Sequence, residues 1–243
     1  MCRLQKKHQK PTSGTYADSL GVSEKLHRKF YEKNMGSIKK KTAFWDYTAN
    51  IYDIFVYLIN AKTHKILRKK VGSHILFSDI VLECACGTGM LTEVIAPKCK
   101  KLIATDLSKN MVRNARAKCN HYSNVKFMIA DILHLEFEDS TFDKVVAANV
   151  IHLLQEPFKA LKELERVCRP GGKVIIPTYL SKQSSKRENE FAKTAGFFGV
   201  SFKQKFSFSS YQQFFIDAGY PDVLHIRIDG FVPCSIAVIE KES

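Results

Sequence analysis

The chain has 243 residues, enough for one domain with a sizeable core and appended elements. No apolar run of about 18 residues occurs, and the Met1-Cys-Arg-Leu-Gln-Lys-Lys-His start lacks the apolar stretch of a secretory leader, so no transmembrane segment is predicted and the expected location is the cytoplasm. The formal net charge of +14 is uneven: residues 1–41 carry eleven Lys or Arg against three acids, which leaves the rest only mildly basic. Seven cysteines, scattered and odd in number, fit reduced thiols rather than a disulfide framework. Cys84 and Cys86 have no matching Cys or His pair at zinc spacing, so no metal is expected.

Residues 1–41 read as a basic extension that could track a phosphate backbone or an anionic membrane surface, or lie as a solvated arm. From Phe44 to Lys70 few breakers occur, and Ile51, Ile54, Phe55, Leu58 and Ile59 fall at helical spacing. One or two amphipathic helices are predicted there, with Lys62, Lys65, Arg68, Lys69 and Lys70 as a solvated basic end.

From residue 80 the pattern alternates. Strands are predicted at 80–84, 101–105, 125–129, 143–148 and 173–178, and helices at about 89–96, 108–119 and 157–168. Continuous apolar strands between amphipathic helices mean a mostly parallel sheet covered on both faces. Arg169-Pro-Gly-Gly172 reads as the turn that ends the third helix before the fifth strand. Beyond Tyr179 a polar, basic stretch leads into a Phe-rich segment, a helix at 208–218, and strand-like runs at 222–229 and 231–239. Gly230 between those runs suits a hairpin, so the sheet is predicted to end on an antiparallel edge.

The most informative stretch is Ile80-Val-Leu-Glu-Cys-Ala-Cys-Gly-Thr-Gly-Met-Leu91. A buried strand reaches an acid, then a small-residue turn lets the backbone come close to a ligand at Gly87 and Gly89. A second strand closes on Asp106, whose carboxylate can accept from both hydroxyls of a ribose. Further along come Ala130-Asp-Ile132, Phe142-Asp-Lys-Val-Val-Ala-Ala-Asn-Val150 and Leu164-Glu-Arg-Val-Cys-Arg-Pro-Gly-Gly172.

Taken in order, Glu83-Cys-Ala-Cys-Gly-Thr-Gly89, Asp106-Leu-Ser-Lys-Asn-Met111 and these three segments resemble the motifs of class I S-adenosylmethionine-dependent methyltransferases, of the small-molecule group that includes quinone C-methyltransferases. The resemblance covers residues 44–180 well. It implies an α/β, Rossmann-like, seven-stranded, mostly parallel sheet with helices on both faces and an antiparallel C-terminal hairpin edge. It divides the chain into the 1–41 extension and a methyltransferase domain over 42–243, with N-terminal helices at 42–71 and a lid insertion at 181–207.

By the family pattern S-adenosylmethionine is the cofactor. Asp106 would bind its ribose, Leu107 and Met111 would pack on the adenine, and Asp131 and the Ile132 backbone N–H would meet the adenine edge. Glu83, Ala85, Gly87 and Gly89 would hold the methionine end. Tyr52 resembles the N-terminal tyrosine that closes over that end, and reads equally as a helix-face aromatic. Ala85 departs from the pattern, which has glycine there; the extra methyl is tolerated if φ at 85 is negative.

Asn149 ends the fourth strand beside the expected methyl position. His152, just after it, is either a general base or orienting donor for the acceptor, or a group that packs the turn. The Asn/Asp-Pro-Pro-aromatic signature of nucleic-acid and protein amide methylators is absent. A small-molecule acceptor, apolar or aromatic, is therefore favoured over nucleic acid. Eight phenylalanines between Phe191 and Phe215 would line a lid or fill its core. A nicotinamide oxidoreductase would want a third glycine where Thr92 stands. A non-catalytic cofactor-binding protein is supported by Ala85 alone.

Overall fold

The computed structural model describes residues 42, 43, 45, 46, 52–181 and 203–242, and for 52–59 the backbone alone. Seven strands form one sheet in the order β3-β2-β1-β4-β5-β7-β6. They are β1 (Ile80–Cys84), β2 (Lys101–Asp106), β3 (Val125–Ile129), β4 (Phe142–Ala147), β5 (Cys168–Tyr179), β6 (Leu224–Ile228) and β7 (Cys234–Glu240). Strands β1 to β5 pair in parallel, while β7 runs antiparallel between β5 and β6. The helices are α1 (Tyr52–Gly72), α2 (Thr92–Ile95), α3 (Lys109–Lys118), α4 (Pro157–Val167) and α5 (Phe208–Asp217).

Strand alternation sorts the core into two layers. Leu82, Ile103, Val145, Val174 and Ile176 face α4 and α5, meeting Leu161, Leu164, Tyr211 and Phe215. Val81, Leu102, Ala104, Val146 and Ile175 belong to the opposite layer, with Leu67 and Val71 of α1, Ile95 of α2 and Val112 and Ala115 of α3. Both faces are covered, so the central strands carry apolar residues at nearly every position. Among the exceptions are Asp143 and Lys144 in the fully buried β4. Each has a partner: Asp143 accepts from the Ile80 backbone N–H at 2.6 Å and pairs with Arg169, and Lys144 Nζ lies 3.5 Å from Asp79 Oδ1.

α1 is kinked at Asn60, where φ is −136° and ψ is 28°. The Asn60 amide donates to the Val232 carbonyl at 2.8 Å and accepts from the Val232 N–H at 3.3 Å, so the helix is clamped to the β6–β7 connection. The predicted hairpin forms, yet Gly230 is needed there for contact: a Cβ built on it would lie 2.0 Å from Thr63 Oγ1. Lys62, Lys65, Lys69 and Lys70 are exposed, as a solvated face requires, and Arg68 reaches Glu93 at 3.5 Å.

β5 corrects one expectation. Instead of a turn followed by a strand at 173, pairing with β4 starts at Cys168, skips Arg169 to Gly172, and resumes at Lys173. The four residues form a bulge within the strand, with Gly171 at φ 69°. Gly172 has no room for a side chain, since a Cβ would sit 2.6 Å from Cys168 Sγ. Lys241 caps the bulge by exchanging backbone hydrogen bonds with Gly171 and Gly172 while its ammonium donates to the carbonyls of Glu165 and Cys168.

Candidate functional site

The strand order reverses between β1 and β4, and the crevice at the carboxyl ends of strands flanking such a switch point is where open α/β sheets bind ligands. The predicted residues converge there. Glu83 lies in β1 and Ala85, Gly87 and Gly89 follow it, Asp106 ends β2 with Leu107 next to it, Met111 lies in the first turn of α3, Asp131 and Ile132 follow β3, and Asn149 and His152 follow β4. Tyr52 begins α1, and its side chain lies outside the described residues, as do residues 1–41 and 182–202.

Asp106 organises the centre. Its Oδ2 accepts from the Gly87 N–H and its Oδ1 from the Ser108 N–H, both at 2.9 Å, so one carboxylate joins the glycine loop to the start of α3. Each oxygen keeps a further lone pair for a ligand hydroxyl. Burial, with the nearby Asp46 charge adding to it, pushes its pKa up to about 6 against those N–H bonds. Gly87, at φ 55°, has nothing within 4 Å of where a Cβ would be, which leaves open space above the loop. Gly89, at φ 91°, instead lets α3 pack close, with Ala115 and Cys119 against it.

Ala85 has φ 53°, so the condition that it be negative is not met. An alanine occupies the left-handed region where glycine belongs, at a cost of roughly 1–2 kcal/mol. The loop stays closed around it: Cys86 N–H donates to Thr105 O at 2.9 Å and Gly89 N–H to Cys86 O at 3.0 Å. Glu83 is buried and accepts from Thr92 Oγ1 at 2.6 Å, with its pKa pushed up to about 8 by burial. Cys84 and Cys86 are buried thiols, both raised by loss of hydration, and no metal-binding cluster occurs among the described residues.

On the other side of Asp106, Met111 is buried and its N–H is capped by Ser108 Oγ at 3.1 Å. Asp131 accepts from the Leu133 N–H at 3.0 Å in a tight turn that presents Ile132, and Ala130 N–H ties this turn to Asp106 O at 3.2 Å. Asn149 is held at φ 52°, a conformation Asn tolerates, by its N–H bond to Pro177 O at 2.8 Å. Its Oδ1 is buried and has no hydrogen-bond partner among the described residues. His152 is 4% exposed, and burial lowers its pKa to about 4, so the ring is neutral near pH 7.

Three functional candidates escaped the sequence reading. Asp46 accepts from Ser108 Oγ at 2.6 Å and its carbonyl from Asn110 Nδ2 at 3.0 Å, docking the N-terminal segment beside Asp106. His64, buried on α1, lies 3.1 Å by Nε2 from the Tyr179 hydroxyl and 3.1 Å by Nδ1 from Met90 Sδ, next to the glycine loop. The Tyr179 ring in turn meets His152 edge-on at 6.4 Å. A lone polar residue within a run of Lys carries no periodic signal, so His64 was not legible. Of the phenylalanines assigned to a lid, Phe206, Phe214 and Phe215 are core residues packed with Tyr211; those at 191, 197, 198 and 202 lie outside the described residues.

Comparison with known proteins fits this geometry. Residues 82–176 match a family described as a methyltransferase domain. A demethylmenaquinone methyltransferase of Staphylococcus aureus is 30% identical over 165 residues, 65% of this chain and 62% of that protein. The chain thus spans less than two thirds of that relative. A SAM-dependent methyltransferase of Aquifex aeolicus superposes with a TM-score of 0.56 at 20% identity, covering 75% of this chain and 90% of that one. Phosphoethanolamine N-methyltransferase 2 of Haemonchus contortus gives 0.61 at 16% identity over 84% of this chain and 58% of its own. By the methyltransferase-domain match over residues 82–176 and by its fold, the chain is similar to the S-adenosylmethionine-dependent methyltransferases.

Proposed function

We propose that the protein transfers a methyl group from S-adenosylmethionine to a small, apolar or aromatic acceptor. The observation that carries this is the Asp106 bridge between Gly87 and Ser108 beneath open space at the switch point. The residues suit the cofactor. Asp106 offers the ribose its remaining lone pairs, Asp131 and Ile132 offer the adenine an acceptor and a backbone donor, and the orphaned Asn149 Oδ1 supports a polar ligand beside β4. Glu83 lies under the loop where the cationic methionine end would rest, and that charge would favour its ionised form.

When bound, the cofactor supplies a methyl group already activated by its sulfonium. The chain's own contribution is to align and to exclude water, which can suffice for displacement at such a methyl. His152, neutral and buried, is suited to accept or donate one hydrogen bond to the acceptor, and the family pattern assigns Tyr52 to the cofactor's methionine end. The name of the Staphylococcus aureus relative supports an apolar ring as acceptor. The test is isotope transfer from labelled S-adenosylmethionine over quinols, phenols, thiols and amines. Transfer to an aromatic acceptor is expected, with a drop of at least tenfold in kcat for His152→Ala. Transfer confined to amines or to RNA would overturn the acceptor assignment.

A further inference from the structure

A thioether sulfur has lone pairs and no proton, so in the contact of His64 Nδ1 with Met90 Sδ only the imidazole can donate. His64 is 2% exposed, and burial, with the Arg68 charge adding to it, lowers its pKa to about 4. The ring is therefore neutral near pH 7 and carries a single proton, which the sulfur contact places on Nδ1. Nε2 is then a bare acceptor, and the 3.1 Å contact with Tyr179 runs one way: the phenol O–H donates to His64. Its proton committed, the Tyr179 oxygen can act towards any further group only as an acceptor. Tyr179 ends β5, half-buried, with its ring centroid 5.9 Å from that of His64 and 6.4 Å from that of His152, both edge-on. Met90 follows directly on Gly89, so the pair stands against the loop assigned to the methionine end of the cofactor.

We infer that Tyr179 binds and selects the methyl acceptor and that His64 is its positioning residue: Met90 fixes the His64 tautomer, His64 fixes the Tyr179 proton, and the phenolic oxygen then favours an acceptor bearing an O–H or N–H over its ether or carbonyl counterpart. This rests on the methyltransferase reading of the site. A site built to take a hydrogen bond from its ligand discriminates strongly against an analogue that lacks the donor, because its own buried polar group is left unpaired.

Two measurements on the full chain test this. Nitrogen NMR of labelled His64 at pH 7 is expected to show a protonated Nδ1 and a bare Nε2; the reverse tautomer overturns the inference without touching the methyltransferase reading. The second is binding of hydroxylated arenes, 1-naphthol among them, each paired with its methyl ether, to protein loaded with S-adenosylhomocysteine so that no turnover intervenes. The hydroxyl member is expected to bind at least tenfold more tightly. Tyr179→Phe should bring that ratio to about one, and His64→Ala should reduce it at least fivefold by freeing the phenol to donate, each ratio being read within one variant at saturating S-adenosylhomocysteine. No hydroxyl preference in any pair, absence of binding included, or a wild-type ratio in Tyr179→Phe, overturns it. Failure to bind S-adenosylhomocysteine at all would strike the underlying reading instead.

Discussion

Ala85 and Glu83 show how a binding loop carries local strain. The left-handed φ of 53° at Ala85 disfavours any residue with a Cβ, so Ala85→Gly should stabilise the protein by about 0.5–1 kcal/mol, the relief of strain less the added freedom of glycine in the unfolded chain. Urea unfolding measures this; a loss of stability would mean that Ala85 makes a favourable contact in its place. Glu83 and Asp106 are both held above ordinary carboxyl values, at about 8 and about 6. The folded protein thus binds more protons than the unfolded chain between about pH 4 and 8, and its stability without ligand should fall as pH rises through that window. A cationic ligand favours the ionised carboxylates, so affinity for S-adenosylmethionine should instead rise from pH 6 to pH 8. Glu83→Gln should flatten the upper part of that profile, as calorimetry at several pH values would show. The sequence made these acids legible as site residues because a strand end and a glycine turn frame them. The sign of φ at 85 was not legible, since it is set by how the Cys86 and Gly87 N–H groups find Thr105 and Asp106.

At the scale of elements, hydrophobic patterning placed β1, β2, β3, α3 and α4 within a residue or two, because each is a short, mostly apolar strand or a strongly amphipathic helix. What patterning missed depends on contacts far apart in sequence. The Arg169–Gly172 segment becomes a bulge because Lys241 at the far end of the chain caps it, and Asn60 kinks α1 because Val232 offers a matching pair of backbone groups. Gly230 belongs to the same class. Gly230→Ala should cost about 1–3 kcal/mol, as overpacking does, by pushing the connection off Thr63. Thermal unfolding would register it, and a near-neutral effect would mean that α1 yields easily. Since His64 lies one residue beyond Thr63, the same change should loosen the His64–Tyr179 contact and weaken acceptor binding.

For the whole molecule, one sheet gathers the cofactor candidates at the carboxyl ends of four adjacent strands, and the 203–206 segment is bonded to His152 and Ser181 beside them. No helix among the described residues is long and apolar enough to cross a membrane. The central claim is that this switch-point crevice binds S-adenosylmethionine through Asp106. Calorimetric titration of the full chain with S-adenosylmethionine, beside Asp106→Asn, tests it most directly. One saturable site is predicted in the parent protein, and at least tenfold weaker binding, about 1.4 kcal/mol, in a variant that remains folded. No binding by the folded parent protein, or equal affinity in the two, would contradict the account.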